Sequence, residues 1–225
     1  MPSTPPQLQT TTLWQFSSRS YGKHQQGSDD YRGATPSYVI WNLLQRFTAP
    51  GALVIDPMAG SGTTLDVARD LGRRALGYDL QPTRKDIFRA DARELPLEDG
   101  KADFVFVDPP YGRNLRYSGQ PECIGELDAH DEAYFEAMER VFAEIERILR
   151  PDRYLAVYAC DVWSRKGFVP IGARFVYQLV QRFTPVDHIA VTRGSKDLKK
   201  GNYHKAAEET NFFLRGFSHL LVFRS

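Results

Sequence analysis

Between residues 52 and 108 the chain four times runs a short apolar segment into an aspartate. Ala52 to Ile55 leads to Asp56, Arg74 to Tyr78 to Asp79, Ile87 to Ala90 to Asp91, and Ala102 to Val107 to Asp108. Short apolar runs that alternate with helical patterns predict strands joined by crossover helices, hence a parallel sheet. In such a sheet the four aspartates fall on one rim, where open α/β sheets bind ligands. Helical spacing covers Pro36 to Phe47, Thr63 to Leu71, Tyr134 to Leu149, which Pro151 stops, and Ile171 to Phe183. Further strands are expected at Tyr154 to Tyr158, Asp187 to Thr192 and His219 to Phe223. The expectation is a doubly wound, Rossmann-like α/β fold with a mixed sheet of seven strands.

The first aspartate opens the run DPMAGSGTT, residues 56–64. Its glycines allow a tight turn and a close backbone approach to a ligand. The run is not GxGxxG, and no lysine follows the glycines as in a phosphate-binding loop. A ligand with an amino-acid end, such as a methionine moiety, suits it better. Backbone amides of the turn, with Thr63 and Thr64, would face the carboxylate, and Asp56 the ammonium. Asp79, about twenty residues beyond the turn, is spaced to accept from ribose hydroxyls. Asp91 would accept from an adenine amino group.

The fourth aspartate opens Asp108-Pro109-Pro110-Tyr111. An exocyclic amine of adenine or cytosine is a poor nucleophile because its lone pair is delocalised into the ring. Two acceptors aimed at its hydrogens localise that pair, and the Asp108 carboxylate and Pro109 carbonyl can supply them. The prolines stiffen the loop and remove competing amide donors, and Tyr111 offers a face for base stacking. A base inside a duplex must be flipped out to reach such a site.

Two cysteines, Cys123 and Cys160, without a CxxC or a His/Cys cluster, argue against a disulfide scaffold or a zinc site. No apolar run reaches the roughly 18 residues of a membrane span, and residues 1–12 lack an apolar signal core. These features lead to the expectation of a cytoplasmic, nucleoid-associated protein. The net charge is only +1, so any nucleic-acid footprint must be local. Candidate contacts are Arg113, Arg116 and Tyr117 after the tetrad, and Lys199, Lys200, Tyr203 and Lys205 in a basic stretch at about 193–215. Residues 14–32 carry further basic side chains. Residues 1–30 are expected as a flexible extension, and 31–225 as the folded domain. No metal ligand set is expected.

From about Tyr31 to Thr192 the chain resembles the DNA amino-methyltransferases, which make N6-methyladenine or N4-methylcytosine. The resemblance rests on the Pro36 helix, on Thr48-Ala49-Pro50-Gly51 directly before DPMAGSGTT, on Gly77-Tyr78-Asp79, on DPPY, and on Arg147 to Pro151. Asp152-Arg153 stands where the family usually has Gly-Gly. The resemblance implies a class I fold, S-adenosylmethionine as cofactor, and double-stranded DNA as substrate, in restriction-modification or regulation. It implies cofactor contacts at Asp56, Pro57, Gly60, Gly62, Thr63, Thr64, Asp79 and Asp91. Catalysis falls to Asp108 to Tyr111, with adenine favoured over cytosine. DPPY followed by Gly112 is also similar to enzymes that methylate a guanine amine in RNA. A cofactor-binding subunit without its own activity is the third reading. No large recognition domain fits between the glycine motif and the tetrad, so a homodimer or a partner subunit is expected.

Overall fold

A computed structural model describes residues 6–16, 18–22, 24–28, 33, 35–111, 119–192 and 203–225, with Tyr203 described by its backbone alone. In chain order the elements are β1 (Leu13–Gln15), α1 (Ser37–Phe47), β2 (Leu53–Asp56), α2 (Thr63–Asp70), β3 (Arg74–Asp79) and β4 (Ile87–Arg89). There follow β5 (Ala102–Val107), α3 (Glu132–Ile148), β6 (Leu149–Ala159), β7 (Val162–Ser164), β8 (Gly167–Val169) and α4 (Ile171–Leu179). The chain ends with β9 (Thr184–Thr192), α5 (Tyr203–Glu209) and β10 (Phe217–Arg224).

The main sheet runs β1-β9-β10-β6-β5-β2-β3-β4, and β7 and β8 form a separate hairpin. Strands β6, β5, β2, β3 and β4 are mutually parallel, while β10 is antiparallel to both of its neighbours. Strand order reverses between β5 and β2, which places the switch point there. Alternation along β5 separates the two cores. Val105 and Val107 pack with α3 and α4, through Phe142, Ile145 and Phe175. Phe104 and Phe106 pack with α1 and α2, through Leu43, Leu44 and Val67.

The sheet has eight strands where seven were expected. The added strand lies in the N-terminal segment, where Leu13 to Gln15 pair in parallel with Ala190 to Thr192 at the edge. Trp14 is buried there, its indole N–H donating to the Thr11 carbonyl at 2.7 Å. A three-residue strand with a single buried side chain shows too little alternation to be read from sequence. Strand β6 starts five residues earlier than expected, because a bulge opposite Ala102 and Phe104 lets it follow α3 directly. Asp152 takes φ +58° in this bulge. Aspartate tolerates that left-handed conformation better than most residues, which accounts for its standing where a glycine is usual.

One contact draws the glycine turn onto the sheet. A Cβ on Gly77 would lie 2.7 Å from a Leu65 methyl and 2.9 Å from the Ala59 Cβ. Gly77→Ala should therefore lower stability by about 1–3 kcal/mol through overpacking, read as a fall in the urea midpoint. An unchanged midpoint would show that this approach is slack.

Candidate active site

The sheet order sets the aspartates side by side along the carboxyl rim. Asp56 and Asp79 are the last residues of β2 and β3, Asp108 follows β5, and Asp91 lies two residues beyond β4. Because β5, β2, β3 and β4 are neighbours, the row reads Asp108, Asp56, Asp79, Asp91.

Each carboxylate is held differently. Asp56 is 4% exposed and accepts from the Thr64 hydroxyl at 2.6 Å and from the Met58 amide at 3.1 Å. Burial raises its carboxyl to about 7 despite those two donors, and Asp108 and Asp79 add to the rise. Asp79 accepts from the Gly60 amide at 3.0 Å and the Gln81 amide at 2.9 Å, and burial lifts its pKa. Burial would raise Asp91 as well, but the Arg93 guanidinium, 2.6 Å away, and the Arg93 amide hold it below the usual range.

Between β2 and α2 the chain turns through Gly60 (φ +49°) and Gly62 (φ +79°). The left-handed Gly62 leads directly into α2, so the first amides of the helix open at this turn. Thr63 and Thr64, expected to face a ligand, also serve the turn. The Thr63 hydroxyl lies 3.2 Å from that of Ser61, and the Thr64 hydroxyl binds Asp56.

Two features here were not anticipated. Arg84 spans the outside of the turn, donating to the Ser61 carbonyl at 3.1 Å and to Asp66 at 2.8 Å. Residues 24–28 cross the same turn, with the Gly27 amide on Asp66 at 2.9 Å. A Cβ on Gly27 would meet the Thr63 hydroxyl at 2.3 Å. Nearby, Gln26 is buried and donates to Asp70, as Tyr21 does. The spacing of Arg84 from the glycine run carries no motif, and the Gln26-Gly27 pair reads in isolation as an ordinary loop.

Asp108 is fixed by two hydroxyls. Thr35 donates to Oδ2 at 2.5 Å, and the Tyr111 hydroxyl donates to Oδ1. That same hydroxyl lies 3.1 Å from the Tyr158 carbonyl on β6, and burial pushes its pKa well up. Tyr111 is thus a partner of Asp108 in this structure, whereas the sequence suggested an open stacking face. The Pro110 carbonyl accepts from the buried Tyr134 hydroxyl of α3 at 2.9 Å. No hydrogen bond among the described residues goes to the Pro109 carbonyl. Thr35 was missed because it lies 73 residues from Asp108 in sequence. Its one signal is its place just before Pro36 and the helix.

Of the expected substrate contacts, Arg113, Arg116, Tyr117, Lys199 and Lys200 lie outside the described residues, as does the side chain of Tyr203. Lys205 is exposed on α5, 3.6 Å from Glu209. Among the described residues no group of three or more His, Cys, Asp or Glu side chains could hold a metal, and no helix is long and apolar enough to cross a membrane.

Residues 3–90 match the family model for DNA methylase of the N6/N4 type. The type II methyltransferase M.MjaII of Methanocaldococcus jannaschii is 27% identical over 122 residues, covering 53% of this chain and 22% of that protein. The tRNA (guanine(10)-N2)-dimethyltransferase of Methanothermobacter thermautotrophicus is 32% identical over 85 residues, covering 31% and 25%. The chain therefore matches a quarter or less of the length of these relatives. A geranyl diphosphate methyltransferase solved in complex with SAM shares the fold, with a TM-score of 0.54, 14% identity, and 84% of this chain and 85% of that one covered. Over residues 3–90 the chain is thus similar to the DNA amino-methyltransferases, and its sheet has the class I methyltransferase fold.

Proposed function

We propose that this protein methylates the exocyclic amine of a flipped base in double-stranded DNA, adenine N6 ahead of cytosine N4, with S-adenosylmethionine as donor. The observation that carries the reading is the adjacency of two differently built carboxylates at the switch point. Asp108 on β5 is pinned by hydroxyls as an oriented acceptor, and Asp56 on the neighbouring β2 is buried under the glycine turn.

The residues present fit the cofactor. Gly60 and Gly62 leave a turn without side chains at the start of α2, and two further carboxylates follow along the rim. Asp56 would face the ammonium, the turn amides the carboxylate, Asp79 the ribose and Asp91 the adenine. When bound, S-adenosylmethionine supplies an electrophilic methyl on a sulfonium. Asp108 and the Pro109 carbonyl would accept from the two amine hydrogens of the base. Each carboxylate oxygen has two lone-pair directions, so Asp108 can keep Thr35 and Tyr111 while accepting from the amine. On accepting the methyl the nitrogen would lose one proton, which Asp108 can take and pass to solvent, while the pair of the broken carbon–sulfur bond stays with sulfur. The partial likeness to a guanine-N2 enzyme of tRNA favours RNA as the second reading.

Asp108→Ala should lower methyl transfer by about 10²–10⁴-fold, while calorimetry finds cofactor affinity largely unchanged. Equal loss of both would end this division of roles. Radiolabel transfer should reach DNA, and transfer confined to tRNA or ribosomal RNA would replace the DNA reading.

Asp56 makes a pH prediction. Its carboxyl rises from about 4 in the unfolded chain to about 7 in the fold. Between those values the fold retains a proton that the unfolded chain has lost, so this group's contribution to stability falls as pH rises and levels off above 7. An ammonium beside Asp56 favours the ionised form. Cofactor binding at pH 6 should therefore release protons, and affinity should climb up to about pH 7 and then flatten. Asp56→Asn should remove the slope. A flat profile in the unaltered protein would place the ammonium elsewhere.

A further inference from the structure

Beyond Asp108 the rim continues onto β6, parallel to β5. The end of β6 leads through Cys160 and Asp161 into the β7–β8 hairpin, and residues 213–217 return to the same place ahead of β10. Asp161 and residues 213–217, Arg215 and Phe217 among them, line a half-open cavity of about 190 Å³. Asp161 is anchored from behind by the Gly172 amide at 3.0 Å and the His219 ring at 3.2 Å. Arg215 spends one nitrogen on the Phe213 carbonyl, and its guanidinium sits 5.1 Å from the centre of the Phe168 ring. Its Nε is buried, with no hydrogen-bond partner among the described residues. A buried donor without a partner is uncommon and asks for an explanation.

The mouth of this cavity is aromatic. Trp163 and Phe168 oppose each other across the hairpin, and both are exposed. Trp163 stacks on Phe212 with centroids 3.9 Å apart and planes 9° from parallel. Phe213 is 83% exposed and Phe217 44%. Arg165, in the hairpin turn, is exposed beside them. Exposed rings interleaved with arginines suit stacked bases and their phosphates. A carboxylate and a guanidinium in one pocket match the acceptors and donors of a base edge.

Position limits the occupant further. The Tyr111 hydroxyl, on Asp108, lies 3.1 Å from the Tyr158 carbonyl, and Asp161 is three residues on. At strand rise that is about 10 Å, a few nucleotide steps at about 3.4 Å each. We propose that this aromatic pocket holds an unstacked nucleotide flanking the target base, with Phe213 and Trp163 as its stacking platform and Arg215 and Asp161 on its polar edge. The proposal rests on the nucleic-acid reading of the Asp108 site and adds a second grip on the same strand.

The test uses the full chain with short mixed-sequence DNA oligonucleotides. Of the three tryptophans only Trp163 is exposed, so oligonucleotide binding should quench its fluorescence, and Trp163→Phe should abolish the signal. Phe213→Ala removes a ring that packs against little. It should raise KM for unmethylated DNA about 5-fold to 100-fold, the range of one lost stacking contact, with kcat and cofactor affinity nearly unchanged. Arg215→Met should act in the same direction. Methyl transfer with no quenching and an unaltered KM in Phe213→Ala overturns the pocket while leaving the Asp108 reading intact. Quenching without methyl transfer to any nucleic acid supports the pocket and removes the activity. A concentration-dependent dimer that Phe213→Ala dissociates, with KM unmoved, makes the surface a self-interface and overturns the proposal.

Discussion

The turn after β2 must press against the end of β3 for the rim to exist. Ala59 donates to the Tyr78 carbonyl at 2.8 Å, and Gly60 to Asp79 at 3.0 Å. Both bonds require the backbone of the turn to reach β3, and only the missing side chain at Gly77 leaves room for Ala59 and Leu65. From this contact the other positions follow. Gly62 can start α2 at the rim, Thr64 comes within reach of Asp56, and Arg84 finds the Ser61 carbonyl. Residues 24–28 then close the outer side.

Four carboxylates in a row would repel one another if all were equally ionised and unsupported. The fold grades them instead. Asp91 has a guanidinium, Asp79 two backbone amides, Asp108 two hydroxyls. Asp56 is the most buried, with one hydroxyl and one amide as donors and no cation bonded to it among the described residues. It is therefore the member whose charge is least supported by the protein, and the one a cationic ligand would stabilise most. The row thus separates a carboxylate built for orientation, Asp108, from one whose ionisation waits on a partner, Asp56.

The centre of the parallel half was legible in sequence because β2 and β5 are buried on both faces. Those strands read as apolar runs, each of β2, β3, β4 and β5 leads into an aspartate, and all four fall within a residue or two of the expected places. Helix α3 was legible for a similar reason: its apolar face repeats at helical spacing over four turns. What escaped was short or long-range. β1 has one buried side chain, the β7–β8 hairpin has three residues in each strand, and α5 is two turns within a charged stretch. At the site, several side chains have partners that the sequence did not suggest. Thr64 serves Asp56, and Tyr111 serves Asp108, because buried hydroxyls take the nearest strong acceptor. No local pattern announces Thr35, whose bond to Asp108 joins segments on either side of the whole glycine motif.

Order along the rim also divides the work. Strands β2, β3 and β4 end in the glycine turn and in carboxylates held by backbone and arginine, features that suit one small ligand of fixed shape. At the same rim β5 and β6 end and β10 begins, among prolines, aromatic rings and an arginine with an unused donor, features that suit a flexible polymer gripped at several points. The boundary between the two sets is the switch point, where Asp56 and Asp108 stand on neighbouring strands. On the proposed reading, the methyl group would pass from the first ligand to the second at this boundary. The additions beyond β5 would then hold the strand of nucleic acid beside that boundary.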